Sequence, residues 1–131
     1  MSEFDSPTGP AASPGSIDWS VLATLAEDVG DRDFVVETVQ VYLSELPGRI
    51  GAIVEGAERG DAAGVKAAAH SLKSSSGMLG ALGLARICRD LEAMSDPADG
   101  STRGAVGMVA ALTAEAEGVT ADLTRYADGE M

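Results

Sequence analysis

Aromatic side chains are scarce in this chain. One Trp, two Tyr and two Phe amount to 4% of its 131 residues. No core can be assembled around large rings, so the interior must come from Leu, Val and Ala on closely approaching helices. Cysteine occurs once, at Cys88, which excludes an internal disulfide and fits a reducing compartment. Its apolar neighbours three residues away on each side make it a core thiol rather than a reactive one. No signal-peptide pattern is visible and no apolar run approaches the ~18 residues of a membrane span, so a cytoplasmic location with no membrane contact is expected. Basic residues are also few. Nine Lys and Arg against 21 Asp and Glu leave a net charge of −12, which argues against nucleic acid or an anionic lipid surface as partner.

Nucleotide chemistry lacks its signatures. Gly77, Gly80 and Gly83 stand three apart, but the GxGxxG order is absent and no GxxxxGK[ST] occurs, so helix ends and close packing account for these glycines better. Only one histidine is present. A lone His, a lone Cys and five scattered Met do not supply inward ligands on several helices, so a metal- or haem-binding bundle is not expected.

What remains reads as helix. Residues 1–16 hold three of the five prolines with Gly and Ser, the composition of a disordered tail or linker, and residues 17–127 form one small domain. Ser16 or Asp18 can cap a short first helix with Ile17, Leu22 and Leu25 on one face and Gly30 at its end. Asp31 or Asp33 opens a long helix carrying Phe34, Val35, Thr38, Val39, Tyr42, Leu43 and Leu46. Pro47 interrupts it, yet Ile50, Ile53, Val54 and Ala57 continue the stripe, which predicts a kinked or re-started helix. Asp61 caps a third helix ending near Gly80. A fourth runs from about Leu82 to Met94 with Leu84, Ile87, Cys88 and Leu91 inward. After the loop 96–102, a last helix reaches about Tyr126 on a stripe of Val106, Val109, Leu112, Ala116, Val119 and Leu123. The periodicities predict an all-α, up-and-down four-helix bundle with a short additional N-terminal helix.

The third helix holds the histidine. Val65, Ala68, Ala69, Leu72, Ser76 and Leu79 recur at three- and four-residue steps as its buried stripe, and His70 lies off that stripe. One turn away are Lys66, Ala67, Lys73 and Ser74, with Gly77 two turns on, so the imidazole is expected on an uncrowded, solvent-facing strip. Between Ala62 and Arg89 there is no Asp or Glu, while Lys66, Lys73, Arg86 and Arg89 all fall inside. In an acidic chain, that window makes a local positive field suited to an anion at the ring.

The run His70-Ser-Leu-Lys73-Ser-Ser-Ser76-x-x-Leu79-Gly80 resembles the His-x-Leu-Lys-Gly-x-Ser-x-x-Leu-Gly signature of histidine-containing phosphotransfer (HPt) domains. Asp31-Arg-Asp-Phe34, then Val39-x-x-Tyr42-Leu43-x-x-x-x-Pro47, and Gly60-Asp61 before the histidine helix are similar to that family in order and spacing. The resemblance covers about residues 17 to 127, and the family usually has Gly where Ser74 stands. It implies the same helical bundle, with His70 as phosphoacceptor, Lys73 stabilising the phosphoryl group, and Ser74 and Gly77 leaving room for a partner. Lys66, Arg86 and Arg89 add to the docking field. By the family's spacing Glu92 falls level with the histidine, where several members carry Gln on the other ring nitrogen.

An exposed neutral imidazole is a good nucleophile toward phosphorus near neutral pH, and Lys73 can offset the phosphoryl charge of about −2 from one turn away. The expected function is a monomeric phosphocarrier, not an enzyme with ATP machinery of its own. It takes a phosphoryl group from the aspartate of a response-regulator receiver domain, including one carried by a hybrid histidine kinase, and passes it to another receiver. No cofactor is expected on this chain, and Mg²⁺ belongs to the receiver. The alternative is a bundle that only binds receiver or kinase domains and whose histidine is silent.

Overall fold

In the computed structural model, residues 17–96, 98 and 100–130 are described; the tail expected over residues 1–16 lies outside them. Five helices follow in chain order: α1 (Trp19–Val29), α2 (Arg32–Arg59), α3 (Ala62–Met78), α4 (Leu82–Met94) and α5 (Arg103–Ala127). No strand occurs among the described residues.

Local chemistry explains most of the boundaries. The Asp18 carboxylate accepts the Ser20 N–H, that of Asp31 accepts Asp33 and Phe34, and that of Asp61 accepts Gly64. Each satisfies amides that a helix start leaves without partners. At the other ends, Gly30 and Gly60 adopt φ of 74° and 76°, a left-handed turn that glycine enters without a Cβ penalty. The N-terminus of α4 has no side-chain cap of its own. The Glu115 carboxylate of α5 lies against its first turn, over Gly83, where negative charge complements the helix dipole.

Helices α2 to α5 make the bundle: α3 packs on α2 and α4, α5 packs on the same two, and α1 lies against α2. Leu22, Leu46, Ile53, Leu72, Leu84 and Leu112 are among the fully buried side chains, each contributing roughly 1.5–3 kcal/mol by leaving water. Polar contacts interrupt this interior. Tyr42 and Ser76 hydroxyls meet at 2.7 Å between α2 and α3, and Thr102 donates to the Ala57 carbonyl at 2.8 Å. A ring stack fastens α1 to the end of α5, with Trp19 and Tyr126 centroids 6.1 Å apart and Arg32 over the Tyr126 ring.

Helix α2 runs on through Pro47 as one helix, which excludes only the re-started alternative; Pro47 is on the exposed side, where water can serve the carbonyl that its missing N–H leaves without a donor. Two details differ from the sequence reading. Phe34 is half exposed, because the inward positions of α2 are Val35, Val39, Tyr42 and Leu46, and Phe34 is rotated one residue off that line. Val106 is also half exposed, and Ala105 is buried in its place. The first turn of α5 crosses α4 so closely that a Cβ on Gly104 would come within 2.8 Å of the Met94 sulfur, and the small alanine fits the inward position there.

Gly80 closes the α3–α4 turn. Its φ is 82°, and an added Cβ would stand 2.6 Å from the Asp18 carbonyl oxygen, beside the Asp18 N–H that donates to the Gly80 carbonyl at 2.8 Å. Gly80→Ala is expected to destabilise the domain by about 1–3 kcal/mol. Gly77→Ala, in the last turn of α3 with nothing within 4 Å of the new methyl, is expected to stabilise it by up to about 0.5 kcal/mol. Thermal melts of the two variants check both signs.

Candidate functional site

The stripe that buries α3 decides where its histidine points. Val65, Ala69, Leu72 and Ser76 are fully covered. His70, one residue and therefore ~100° beyond Ala69, emerges in the middle of the helix with 62% of its side chain exposed.

The antiparallel neighbour brings its partner. Eleven residues separate His70 from Ala81 in the turn, and eleven more separate Ala81 from Glu92, so the two stand level across the α3–α4 groove. Glu92 Oε2 is 2.8 Å from His70 Nδ1, and Oε1 is 2.7 Å from Lys73 Nζ. One carboxylate thus binds the imidazole with one oxygen and the ammonium with the other. The Lys73 hydrogen bond, and after it that of His70, hold the Glu92 carboxyl below the usual glutamate range. An ionised carboxylate can only accept. In the neutral ring Nδ1 must therefore carry the proton, which leaves the lone pair on Nε2.

The remaining residues singled out by sequence fall around this centre. Lys73, Arg86 and Arg89, together with Leu82 and Ala85, line a cleft of about 290 Å³ between α3 and α4. Arg89 also reaches Asp90 at 3.8 Å. Lys66 is exposed one turn before His70 on α3. The Ser74 hydroxyl folds back to donate to the His70 carbonyl at 3.3 Å, which draws it down onto the helix instead of outward. Gly77 leaves open space beyond it. The positive window seen in the sequence is tempered by Glu92, which lies three residues beyond it in the chain but at its centre in space.

Two features escaped the sequence reading. Arg49 of α2 donates to the Ser71 hydroxyl and, at 3.1 Å, to Glu45. This ties α2 to α3 one residue from the histidine, and nothing in the order of residues pairs positions 49 and 71. The Tyr42–Ser76 contact was signalled only by a serine on an otherwise apolar stripe. Burial pushes the Tyr42 hydroxyl and the Cys88 thiol each up to about 12, so neither ionises near neutral pH and Cys88 is a core residue. Among the described residues no group of three or more His, Cys, Asp and Glu could hold a metal ion, and no helix is long and apolar enough to cross a membrane.

Comparison with known proteins adds two observations. The family model described as "Hpt domain" matches residues 37–122, well over half of the chain. The crystal structure of histidine-containing phosphotransfer protein B (HptB) from Pseudomonas aeruginosa PAO1 superposes with a TM-score of 0.78, covering 93% of this chain and 98% of that one at 23% identity. It thereby supports the fold. No curated protein sequence matches.

The bridging carboxylate yields a titration test. The folded-state value of Glu92 is depressed, so its ion pairs are present at neutral pH and are lost as pH falls through that value. A carbon-detected NMR titration is expected to place the Glu92 midpoint below ~4.3, the ordinary glutamate value. Lys73→Ala is expected to raise the midpoint further than His70→Gln does.

Proposed function

Because the chain belongs to the Hpt domain family, whose work is histidine phosphotransfer in phosphorelays, we propose that it is a phosphorelay intermediate that carries the phosphoryl group on His70. The observation that carries this reading is the exposed imidazole at mid-helix with its Nδ1 on Glu92. That contact directs the nucleophilic lone pair of Nε2 outward. The Nε2 lone pair attacks the phosphorus of a receiver's aspartyl phosphate, a Nε2–P bond forms, and the P–O bond to aspartate breaks with its electrons leaving on the carboxylate. The reverse sequence, on a second receiver, passes the group onward.

Lys73 supports both directions. An ammonium has three donors. One is engaged by Glu92 Oε1, and the other two remain to meet the phosphoryl oxygens one turn from His70. The lysine's role is electrostatic, since it stays protonated. Arg86, Arg89 and Lys66 present a basic rim to the acidic pocket of a receiver, and their charges raise the encounter rate of oppositely charged surfaces. Ser74 and Gly77 keep the approach low. The receiver supplies Mg²⁺ and the aspartate; this chain acts as a soluble, monomeric carrier in the cytoplasm and has no ATP-dependent step of its own.

The test is phosphoryl transfer from purified phosphorylated receivers, followed by mapping of the acid-labile, base-stable phosphate. His70→Gln is expected to accept none while melting within about ±0.5 kcal/mol of the parent, as substitutions at exposed positions do. Lys73→Ala is expected to retain the fold and slow transfer. Ser74→Gln is expected to obstruct docking, because the longer side chain cannot fold back onto the His70 carbonyl as the serine hydroxyl does. A His70→Gln protein that folds and still becomes labelled would assign the phosphate elsewhere.

A further inference from the structure

Glu92 differs from a neutral ring-orienting group in a way that bears on the phosphorylated state. A carbonyl or amide oxygen would fix the same tautomer of the resting imidazole. A carboxylate also holds a proton against a ring that has acquired positive charge, which is what the ring becomes when phosphorus bonds to Nε2 while Nδ1 keeps its hydrogen.

Resting on the reading of His70 as phosphoacceptor, we infer that Glu92 is a positioning residue that keeps the proton on Nδ1 throughout the phosphorylated state, so that His70 remains a ready donor rather than a store. The step balances without any proton transfer. Attack by Nε2 converts the neutral ring, with Nδ1–H on Glu92 Oε2, into a phosphoimidazolium with the same Nδ1–H on the same oxygen. When an acceptor carboxylate or a water oxygen bonds to phosphorus, the Nε2–P pair returns to Nε2 and the ring leaves as neutral imidazole. If Nδ1 lost its proton in between, the leaving group would be imidazolate, a much poorer one. The 2.8 Å contact places an anion on the proton whose loss would stall the carrier.

The other charged and titratable groups near the ring do not perform this task. On α3, Lys66 and Lys73 are cations, and Lys73 is spent in part on Glu92 Oε1. On α4, Arg89 is a cation near Asp90, and the Cys88 thiol is buried and protonated. On α2, Arg49 turns to Ser71 and Glu45. Glu92 is the carboxylate in contact with the ring. Lys73 keeps that carboxylate ionised, and so supports the proton on Nδ1 indirectly.

The experiment uses the full chain and its Glu92→Gln variant, each phosphorylated with potassium phosphoramidate, freed of donor, and followed by phosphorus NMR as phosphate is lost between about pH 5 and pH 9. An opposite charge at hydrogen-bond distance shifts a titration by about one to three units. The parent is therefore expected to hold its loss rate to a pH at least about one unit higher than the variant does, and to lose phosphate about tenfold faster on the alkaline side. A thermal melt is expected to be unchanged, and at alkaline pH, where the resting ring is neutral, nitrogen shifts are expected to show Nδ1 protonated in both proteins. Coincident pH profiles from two well-folded, labelled proteins would overturn the inference alone. Failure of both proteins to take phosphate on His70 would overturn the assignment of the site, and this inference with it.

Discussion

The register between α3 and α4 is the constraint on which the site depends. His70 and Lys73 are neighbours on α3, but Glu92 comes from α4 and has no other reason to meet them. The turn that sets their register is short, and Gly80 at φ 82° is its pivot. The Asp18 backbone packs on that pivot too closely for a side chain, so the same residue sets the hairpin and seats the start of α1. A shift of one residue in the hairpin would rotate Glu92 by ~100° away from the groove and leave the imidazole without its anion. The glycine is thus a functional residue at one remove.

Beneath the exposed face, α3 is held by small side chains. Ala62, Ala69 and Ser76 let α2 and α4 approach, and the Tyr42 hydroxyl fills the remaining space by bonding Ser76. A buried hydroxyl without a partner costs ~1–3 kcal/mol, so this pair favours one rotational setting of α3 over its neighbours. The outward angle of His70 is thereby decided from below, one and a half turns away, by two residues that never contact it. Arg49 adds a polar tie from α2 at Ser71 on the exposed side. A histidine helix locked on both edges presents its imidazole in one orientation, which is what in-line attack on phosphorus requires.

Much of this was legible in the sequence because the signals are local. The aspartate caps, the glycine stops and the 3.6-residue stripes name all five helices, with the limits of α4 given to the residue, and they place His70 off the buried stripe. The inward face of α5 was misplaced at its start because a close crossing with Met94, not periodicity, selects Ala105 over Val106. The candidate site was legible in kind but not in connection. Lys73 follows from its distance of one turn. Glu92 followed only from the family's spacing, and a single carboxylate bridging both residues depends on inter-helix register, which periodicity does not encode. The Arg49–Ser71 tie was not legible at all, since it joins surface positions of two helices whose exposed residues are free of any pattern.

A carboxylate at the centre of a site for an anion looks contradictory in a chain already at −12. Geometry removes the contradiction. Glu92 meets the ring through Nδ1, and in the proposed carrier phosphorus attaches through Nε2 on the opposite edge, so the imidazole stands between the two negative groups. The intervening ring is itself positive once phosphorylated, which makes the sequence of charges alternate from carboxylate to ring to phosphoryl group. Lys73 sits beside this row with one donor on Glu92 and two to spare, compensating whichever end needs it. Arg86 and Arg89 line the open cleft beside Lys73, and in the proposed docking their field reaches a partner through water that screens it over ~10 Å. If His70 carries phosphate as proposed, acidity is not a defect tolerated near the site: removing the Glu92 charge would strengthen the net attraction for phosphate while weakening the hold on the proton that lets phosphate leave.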